Sequence, residues 1–318
     1  MRILIAEYAV GGGAKSSSLL KEGQAMLATL QESFEQAGHE VLSPVAEPDF
    51  EVAVARLASE CDAGMVIAPD DKLAGLTRIL ESRTVNLGSP AAAVARCADK
   101  LVATELLRAN GILAPRIYTR AELAELEEGA ELQYVRKPRF GCASDDIFVV
   151  HQSALAALPA APDHEVLITE FIAGTDISSS SIVGRDAVLP LTINQQYIRN
   201  EGARLRYAGG VVPYALPPET AHEVLQISAR VARLLGCAGY VGIDFVLDSA
   251  NRAYVVDVNP RPTTSLVGIA RVLNYNIADL LLRAKWGRLP NAAEIRTAGR
   301  YVFTLPELRW NGARPETL

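Results

Sequence analysis

An α/β fold that becomes α+β in its C-terminal part is the architecture this sequence predicts, and two patterns predict it. Over the first ~90 residues short apolar runs alternate with helical periodicity, the β-α-β-α order of a parallel sheet with helices on both faces. From about residue 133 onwards the runs follow one another as strands separated by turn residues, which is how antiparallel hairpins read.

The elements follow in order. Residues 2–6 are a short buried-type strand, and the glycines at 11–13 after it form a flexible turn without the G-x-G-x-x-G spacing of a dinucleotide fingerprint. Residues 19–37 have helical spacing, with Leu20, Met26, Leu27, Leu30 and Phe34 as the apolar stripe and Gly38 as the stop. A strand begins at 40–42, followed by a helix at 50–59, a strand at 64–68, a helix at 72–81 and a strand at 84–87. Together these make a Rossmann-like lobe. Asp99 caps a helix that runs to Asn110, and Gly111 ends it. Helical signal returns at 121–127. Strands at 133–138 and 146–150 flank a loop at 139–145, the shape of a mobile hairpin lid, and a further strand spans 165–172. Residues 177–183 and 187–193 form a hairpin in which Ser178 to Ser181 read as a solvated strand. An irregular polar section at 194–210 precedes a helix at 218–235; after the last hairpin a helix covers 279–286, and the tail from 296 is poorly periodic.

That last hairpin carries the chemistry. Strand-like runs at 239–248 and 253–261 flank the polar turn 249–252. If Asp248 faces Ala253, then Val246 faces Val255, Asp244 faces Asp257 and Gly242 faces Asn259. Side chains alternate along a strand, so Asp244, Asp257 and Asn259 share one face, and Ile243, Phe245, Leu247, Tyr254, Val256 and Val258 form the core face. Two opposed carboxylates repel unless a cation lies between them, and an oxygen donor set of this kind suits Mg²⁺ or Mn²⁺. A register shifted by one would instead return the acids to solvent.

Composition bounds the rest. The 318 residues are 49% hydrophobic and 21% charged, a packed globular chain with room for two or three lobes. The net charge of −6 with scattered basic residues predicts no nucleic-acid partner. The longest apolar runs are too short to span a bilayer, so no membrane partner and a cytoplasmic location are expected. Cys61, Cys97, Cys142 and Cys237 are widely spaced, which reads as reduced, mostly buried thiols. Four dispersed histidines show neither a zinc site nor a Ser/His/Asp triad.

A metal-bearing hairpin, a glycine-containing lid and lysines on earlier elements form a set of parts for handling a nucleoside triphosphate. Phosphoryl transfer demands positive charge and positioning more than an elaborate nucleophile. Lys100 at a helix start, Lys137 at a strand end and Arg261 just beyond the metal residues supply the charge. Singly, each of the three reads as a surface residue.

The ordered motifs Asp99-Lys100, Val135 to Pro138, Thr169 to Gly174, Gly242 to Phe245 and Asp257 to Arg261 resemble the ATP-grasp ligases, near carbamoyl-phosphate synthetase and biotin carboxylase, over about residues 97–265. The resemblance implies an ATP-grasp fold with three parts. These are a Rossmann-like N-terminal domain (1–95), a small lid subdomain with its linking helix (96–175) and a large C-terminal subdomain with an antiparallel sheet (176–318). It implies ATP as co-substrate with Mg²⁺ or Mn²⁺. Lys100 and Lys137 would contact the phosphates, and the loop up to Ser144 would close over them. Glu170 and the backbone of Phe171 and Ile172 would read the adenine edge, and Asp176 the ribose. Asp244, Asp257 and Asn259 would ligate metal; Arg261, with Lys137, would act on the transferring phosphoryl group. Asp257 and Asp176 stand where the family usually has Glu, and Cys142-Ala143 replaces a more glycine-rich stretch. A homodimer is common in this fold.

The implied chemistry needs no catalytic histidine. A substrate carboxylate attacks the γ-phosphate to give an acyl phosphate, and an amine displaces phosphate to form an amide. Glu7-Tyr-Ala9, the run at 20–26 and the run Tyr207 to Pro213 are similar to those of the tyramine–L-glutamate ligases of methanofuran biosynthesis. That implies small acid and amine partners, glutamate and tyramine or a related aromatic amine. Arg206, among Arg199, Arg204 and Arg206, would meet a glutamate carboxylate, and Tyr207, Gly209 and Gly210 would line the amine pocket. Three readings share the same parts: another amino-acid or dipeptide ligase, a small-molecule kinase, and a nucleotide-binding regulatory protein without turnover.

Overall fold

Strand β1 (Arg2–Glu7) is buried along five of its six residues, and its short apolar run pairs in parallel with β2 (Glu40–Leu42) and β3 (Ala63–Ile67). The computed structural model describes residues 1–12, 17–125, 132–141, 146–157 and 165–308. Cys142, Ala143 and Ser144 of the lid loop, and the tail from 309, lie outside the described residues. With β4 (Val85–Asn86) the first sheet has the order β2-β1-β3-β4. Helices α1 (Tyr8–Gly11), α2 (Ser17–Gln36), α3 (Phe50–Ala58) and α4 (Asp70–Glu81) complete this lobe. The stretch at 8–11 is helical, not an open turn, because the Glu7 carboxylate caps it by accepting from Val10 N.

Helices α5 (Ala91–Ala98) and α6 (Lys100–Ala109) lead into β5 (Ile117–Tyr118), α7 (Arg120–Ala124), β6 (Gln133–Pro138), β7 (Phe148–His151) and β8 (Val166–Glu170). Helix α5, unpredicted, meets α6 at Asp99, which caps the second helix through Val102 N. Strands β6 and β7 pair antiparallel, as the hairpin reading expects. Next come β9 (Thr175–Val183), β10 (Val188–Glu201), β11 (Arg204–Val212), α8 (Pro218–Leu235), β12 (Gly239–Leu247), β13 (Ala253–Asn259), α9 (Leu266–Val272), α10 (Ile277–Lys285) and β14 (Tyr301–Thr304). They extend one ten-stranded sheet of order β13-β12-β9-β10-β11-β7-β6-β8-β5, with β14 on β11.

Three expectations are corrected here. The section 194–210 is not irregular: it is the long β10–β11 hairpin, whose polar residues line a cleft and an exposed tip. Part of the tail is strand β14, held by four pairs with β11. The serine run is not solvated. Ser178 to Ser181 are each at most 5% exposed because β9 lies in mid-sheet between β12 and β10. Three of the four hydroxyls are satisfied inside: Asn194 Nδ2 donates to Ser178 Oγ at 3.3 Å, Tyr240 Oη donates to Ser180 Oγ at 2.9 Å, and the Ser179 and Ser228 hydroxyls pair at 2.7 Å, while Ser181 Oγ is buried with no partner among the described residues.

The apolar core does not respect the lobes. Phe34 and Leu30 of α2 belong to the same cluster as Leu266 of α9 and Leu280 of α10, so the N-terminal sheet and the long sheet share one buried layer. A second cluster packs α8 under β9, β12 and β13, and a third covers the outer face of the first sheet. Cys97 and Cys237 are buried with their sulfurs 3.7 Å apart, and Cys61 is partly exposed. Among the described residues, no helix is long and apolar enough to cross a membrane.

Candidate active site

The hairpin places its acids as the pairing sum requires, by way of a bulge that the sum omits. Asp244 faces Asp257 and Gly242 faces Asn259, but the next pair is Phe245 with Val255, leaving Val256 as an extra residue. The pairings Val246 with Val255 and Asp248 with Ala253 are therefore wrong; Val246 faces Tyr254 and Leu247 faces Ala253. A bulge inverts the alternation beyond it. Ala253 and Val255, not Tyr254 and Val256, join Ile243, Phe245, Leu247 and Val258 in the core. Val256 turns instead to the cleft, and its carbonyl accepts from Lys137 Nζ at 2.9 Å.

The cleft has a volume of about 280 Å³ and lies between the N-terminal lobe and the long sheet. Lys100, Lys137, Glu170, Phe171, Ile172, Asp176, Tyr207, Asp244, Asp257, Asn259 and Arg261 all line it. Residues as far apart in the chain as Lys100 and Arg261 thus converge, and Lys137 faces the same cleft as both acids. Arg206, Gly209 and Gly210 are not among the lining residues. Arg206 points to the hairpin tip and pairs with Glu201 at 3.4 Å, and Arg204 pairs with Asp146 at 3.2 Å. Gly209 and Gly210 sit where β11 is hydrogen-bonded on both sides, by β10 and β14. Gly209 has φ +139°, and a Cβ there would lie 2.1 Å from Phe303 O. Its role is backbone packing. Gly209→Ala is expected to cost roughly 2–3 kcal/mol of stability, seen as a lowered melting temperature with the KM values of the remaining folded enzyme unchanged.

Electrostatics tie the site together. Lys100, 7% exposed, donates to Asp257 Oδ1 at 2.9 Å and Oδ2 at 3.1 Å, and to Asp70 Oδ2 at 3.1 Å. Burial pulls the Lys100 ammonium down, but these two carboxylates outweigh it and hold its pKa above the usual lysine range. Among the described residues no carboxylate lies at bonding distance from Lys137, and burial brings its pKa to about 8. Burial and the Asp257 charge push Asp244 up to about 7, although Gln196 Nε2 donates to it at 2.9 Å and Asn259 Nδ2 at 3.1 Å. An acid held this high beside a second carboxylate and an amide oxygen is the donor set of a hard divalent cation, whose charge would relieve the burial of both acids. The residues present therefore fit such a metal. Arg261, 12% exposed, has its Nε buried with no hydrogen-bond partner among the described residues, a donor suited to an anionic oxygen.

The residues expected to face the nucleotide are placed less simply. Glu170 lines the cleft, but its Oε1 accepts from Arg116 N at 2.8 Å, and the Phe171 N–H donates to Gln133 O. Asp176 is raised to about 6 by burial alone. Arg139, at the end of β6, grips Asp99 with two bonds of 2.8 and 2.6 Å, which anchors the start of the lid loop to α6.

Sequence reading missed Asp70 and Gln196, and took Glu7 and Glu22 only as parts of short motifs. Glu7 is 3% exposed at the end of β1, and burial pushes its carboxyl up to about 7. A Cβ on Gly23 would lie 2.5 Å from Glu7 Oε2, so the glycine makes room for that carboxylate beside α2. Glu22 Oε2 accepts from Thr264 Oγ1 at 2.5 Å. Acids at or just past the end of a strand, Glu7 and Asp70, and an acid preceding a glycine, Glu22 before Gly23, were the available signal.

Comparison with known proteins agrees with this geometry. The ATP-grasp domain family matches residues 97–265. The chain is 28% identical over 308 residues to the tyramine–L-glutamate ligase of Methanocaldococcus jannaschii, covering 88% of each. It is 28% identical over 235 residues to the D-alanine–D-alanine ligase of Carboxydothermus hydrogenoformans, covering 67% of this chain and 75% of that one. Its fold superposes with TM-score 0.73 and 28% identity on an ATP-grasp superfamily protein from Archaeoglobus fulgidus, covering 90% of this chain and 89% of that one. With the fold, the family match and the cleft in agreement, the chain belongs to the ATP-grasp family of ligases.

Proposed function

We propose that this ADP-forming carbon–nitrogen ligase joins the γ-carboxyl of L-glutamate to a primary amine with an aromatic body, tyramine or a close relative, as a step toward a methanofuran-type cofactor. The observation that carries the amine class is the wall of the cleft formed by the N-terminal lobe. There Glu7 and Glu22 stand beside Ala9, Leu19 and Met26, with Tyr207 of β11 lining the same cleft. Such a wall matches a cationic head on an apolar body. Burial, with Glu22 and Asp244 nearby, keeps the Tyr207 phenol protonated, so it can donate as well as stack. The similarity to the tyramine–L-glutamate ligases covers 88% of this chain, more than the 97–265 stretch of the family match.

In this reading Asp244, Asp257 and Asn259 hold Mg²⁺ or Mn²⁺, and the metal supplies charge neutralisation on the ATP phosphates. Lys137 and Lys100 bind phosphate oxygens, with Ser144 in the loop that covers them. The Phe171 carbonyl and the Ile172 backbone read the adenine edge, Glu170 fixes that strand through Arg116, and Asp176 takes the ribose hydroxyls. The glutamate γ-carboxylate oxygen attacks the γ-phosphorus, the bond to the ADP oxygen breaks, and Arg261 Nε steadies the equatorial oxygens. The amine arrives as an ammonium against Glu7 and gives a proton to that carboxylate; its nitrogen attacks the acyl carbon, the bond to the phosphate oxygen breaks, and the leaving phosphate takes the second proton of the nitrogen. Chain segments 1–95, 96–175 and 176–318 divide the labour as acid and amine wall, lid, and metal-bearing sheet.

The test is product analysis after incubation with ATP, Mg²⁺, L-glutamate and a panel of amines. ADP release that requires both glutamate and an aromatic amine, with a γ-glutamyl amide by mass, is the expected result. ADP release with aliphatic amino acids in place of the aromatic amine would move the chain to the dipeptide-ligase reading. Release without an amide product would sink both.

A further inference from the structure

Asp70 opens α4 at the carboxyl end of β3, in the N-terminal lobe, and is 7% exposed. Its Oδ2 accepts from Lys100 Nζ at 3.1 Å, and its Oδ1 lies 3.8 Å from Arg261 Nη2. One buried carboxylate of the first lobe therefore faces two of the three cations that line the cleft. Lys100 is shared. It also donates to both oxygens of Asp257, at 2.9 and 3.1 Å, and those are the oxygens that the proposed metal requires. A metal ion and an ammonium compete for one carboxylate, and a buried ammonium that loses its sole counter-ion pays heavily in solvation. Lys100 does not face that loss, because Asp70 remains in contact with it.

We propose that Asp70 is a positioning residue that serves as the second counter-ion of Lys100, freeing the Asp257 carboxylate for the metal and keeping the Arg261 guanidinium turned into the cleft. This rests on reading Asp257 as a metal ligand. The Rossmann-like lobe thus takes part in metal loading as well as in substrate recognition. Neither the motifs at 97–265 nor the metal face of the hairpin includes Asp70.

The test is Mn²⁺ binding to the full chain with ADP, followed by the electron paramagnetic resonance signal of free Mn²⁺, which needs no turnover. Asp70→Asn is expected to weaken Mn²⁺ binding about tenfold, within the range of coupled buried pairs. Asp70→Glu restores most of it. In a Lys100→Met background the ammonium no longer competes, so Asp70→Asn has no further effect; a merely structural role for Asp70 would weaken binding there as well. Asp257→Asn separates the two layers. If it weakens Mn²⁺ binding while Asp70→Asn does not, the role of Asp70 is overturned and the metal assignment stands. If Asp257→Asn leaves Mn²⁺ binding unchanged, the metal assignment falls and the role of Asp70 with it.

Discussion

Asp257→Ala is expected to lower turnover at least about a thousandfold, the scale set by removing a group that neutralises transition-state charge, while the protein stays folded. The fold survives because β12 and β13 are held by Ile243, Phe245, Leu247, Val255 and Val258 on the opposite face. Lys100 survives the change because Asp70 Oδ2 remains 3.1 Å from its ammonium. The measurement is steady-state ADP release beside thermal melting. Turnover within tenfold of wild type in a folded Asp257→Ala protein refutes the metal assignment. A collapsed melting transition would instead mean that Lys100 depends on Asp257 as its essential counter-ion, against the geometry of the Asp70 contact.

Glu7→Gln is expected to act on stability and catalysis in opposite directions. Burial raises the Glu7 carboxyl from 4.5 to about 7, so the folded state holds this proton more tightly than the unfolded chain does. The sign follows from linkage: the protonated acid contributes its full stability below pH ~4.5, and that contribution is lost as pH rises through about 7. Above that pH the wild-type fold carries a buried charge that glutamine does not. Glu7→Gln is therefore expected to stabilise the protein by about 3 kcal/mol at pH 8, at 1.36 kcal/mol per pKa unit. The gain shrinks to nothing near pH 4.5. Over the same pH range the variant loses the anion that meets the ammonium, and kcat/KM for the amine is expected to drop roughly a hundredfold, the scale of removing a buried charge partner. Melting curves of both proteins between pH 4.5 and 8, beside kinetics varied in amine and in glutamate separately, check both halves. A stability difference that does not change with pH would refute the raised carboxyl; a loss confined to the KM for glutamate would transfer Glu7 from the amine to the acid.

What proved legible in the sequence is what periodicity and local chemistry encode. The β-α alternation to residue 87, the cap at Asp99, the α8 helix and the hairpin that opposes Asp244 to Asp257 each depend on neighbours within a few residues. The long hairpin at 188–212 was obscured because one of its faces lines a cleft and so lacks the apolar alternation of a half-buried strand. The serines of β9 misled for the converse reason: small hydroxyls look solvated by composition, yet Tyr240, Asn194 and Ser228 pair with those of Ser180, Ser178 and Ser179 in mid-sheet.

The sequence by itself determined the family motifs, their order and the acids of the metal face. The tertiary structure alone decided the bulge at Val256, which turns a backbone carbonyl onto Lys137, and the removal of Arg206, Gly209 and Gly210 from the cleft. It alone brought Glu22 against Thr264, and Asp70 against Arg261 and Lys100, across as many as 242 positions of chain. The physical reason is that strand pattern and caps are fixed by contacts close in sequence, whereas a buried charge is defined by its partner. That partner is set by how two lobes pack, which no local spacing records.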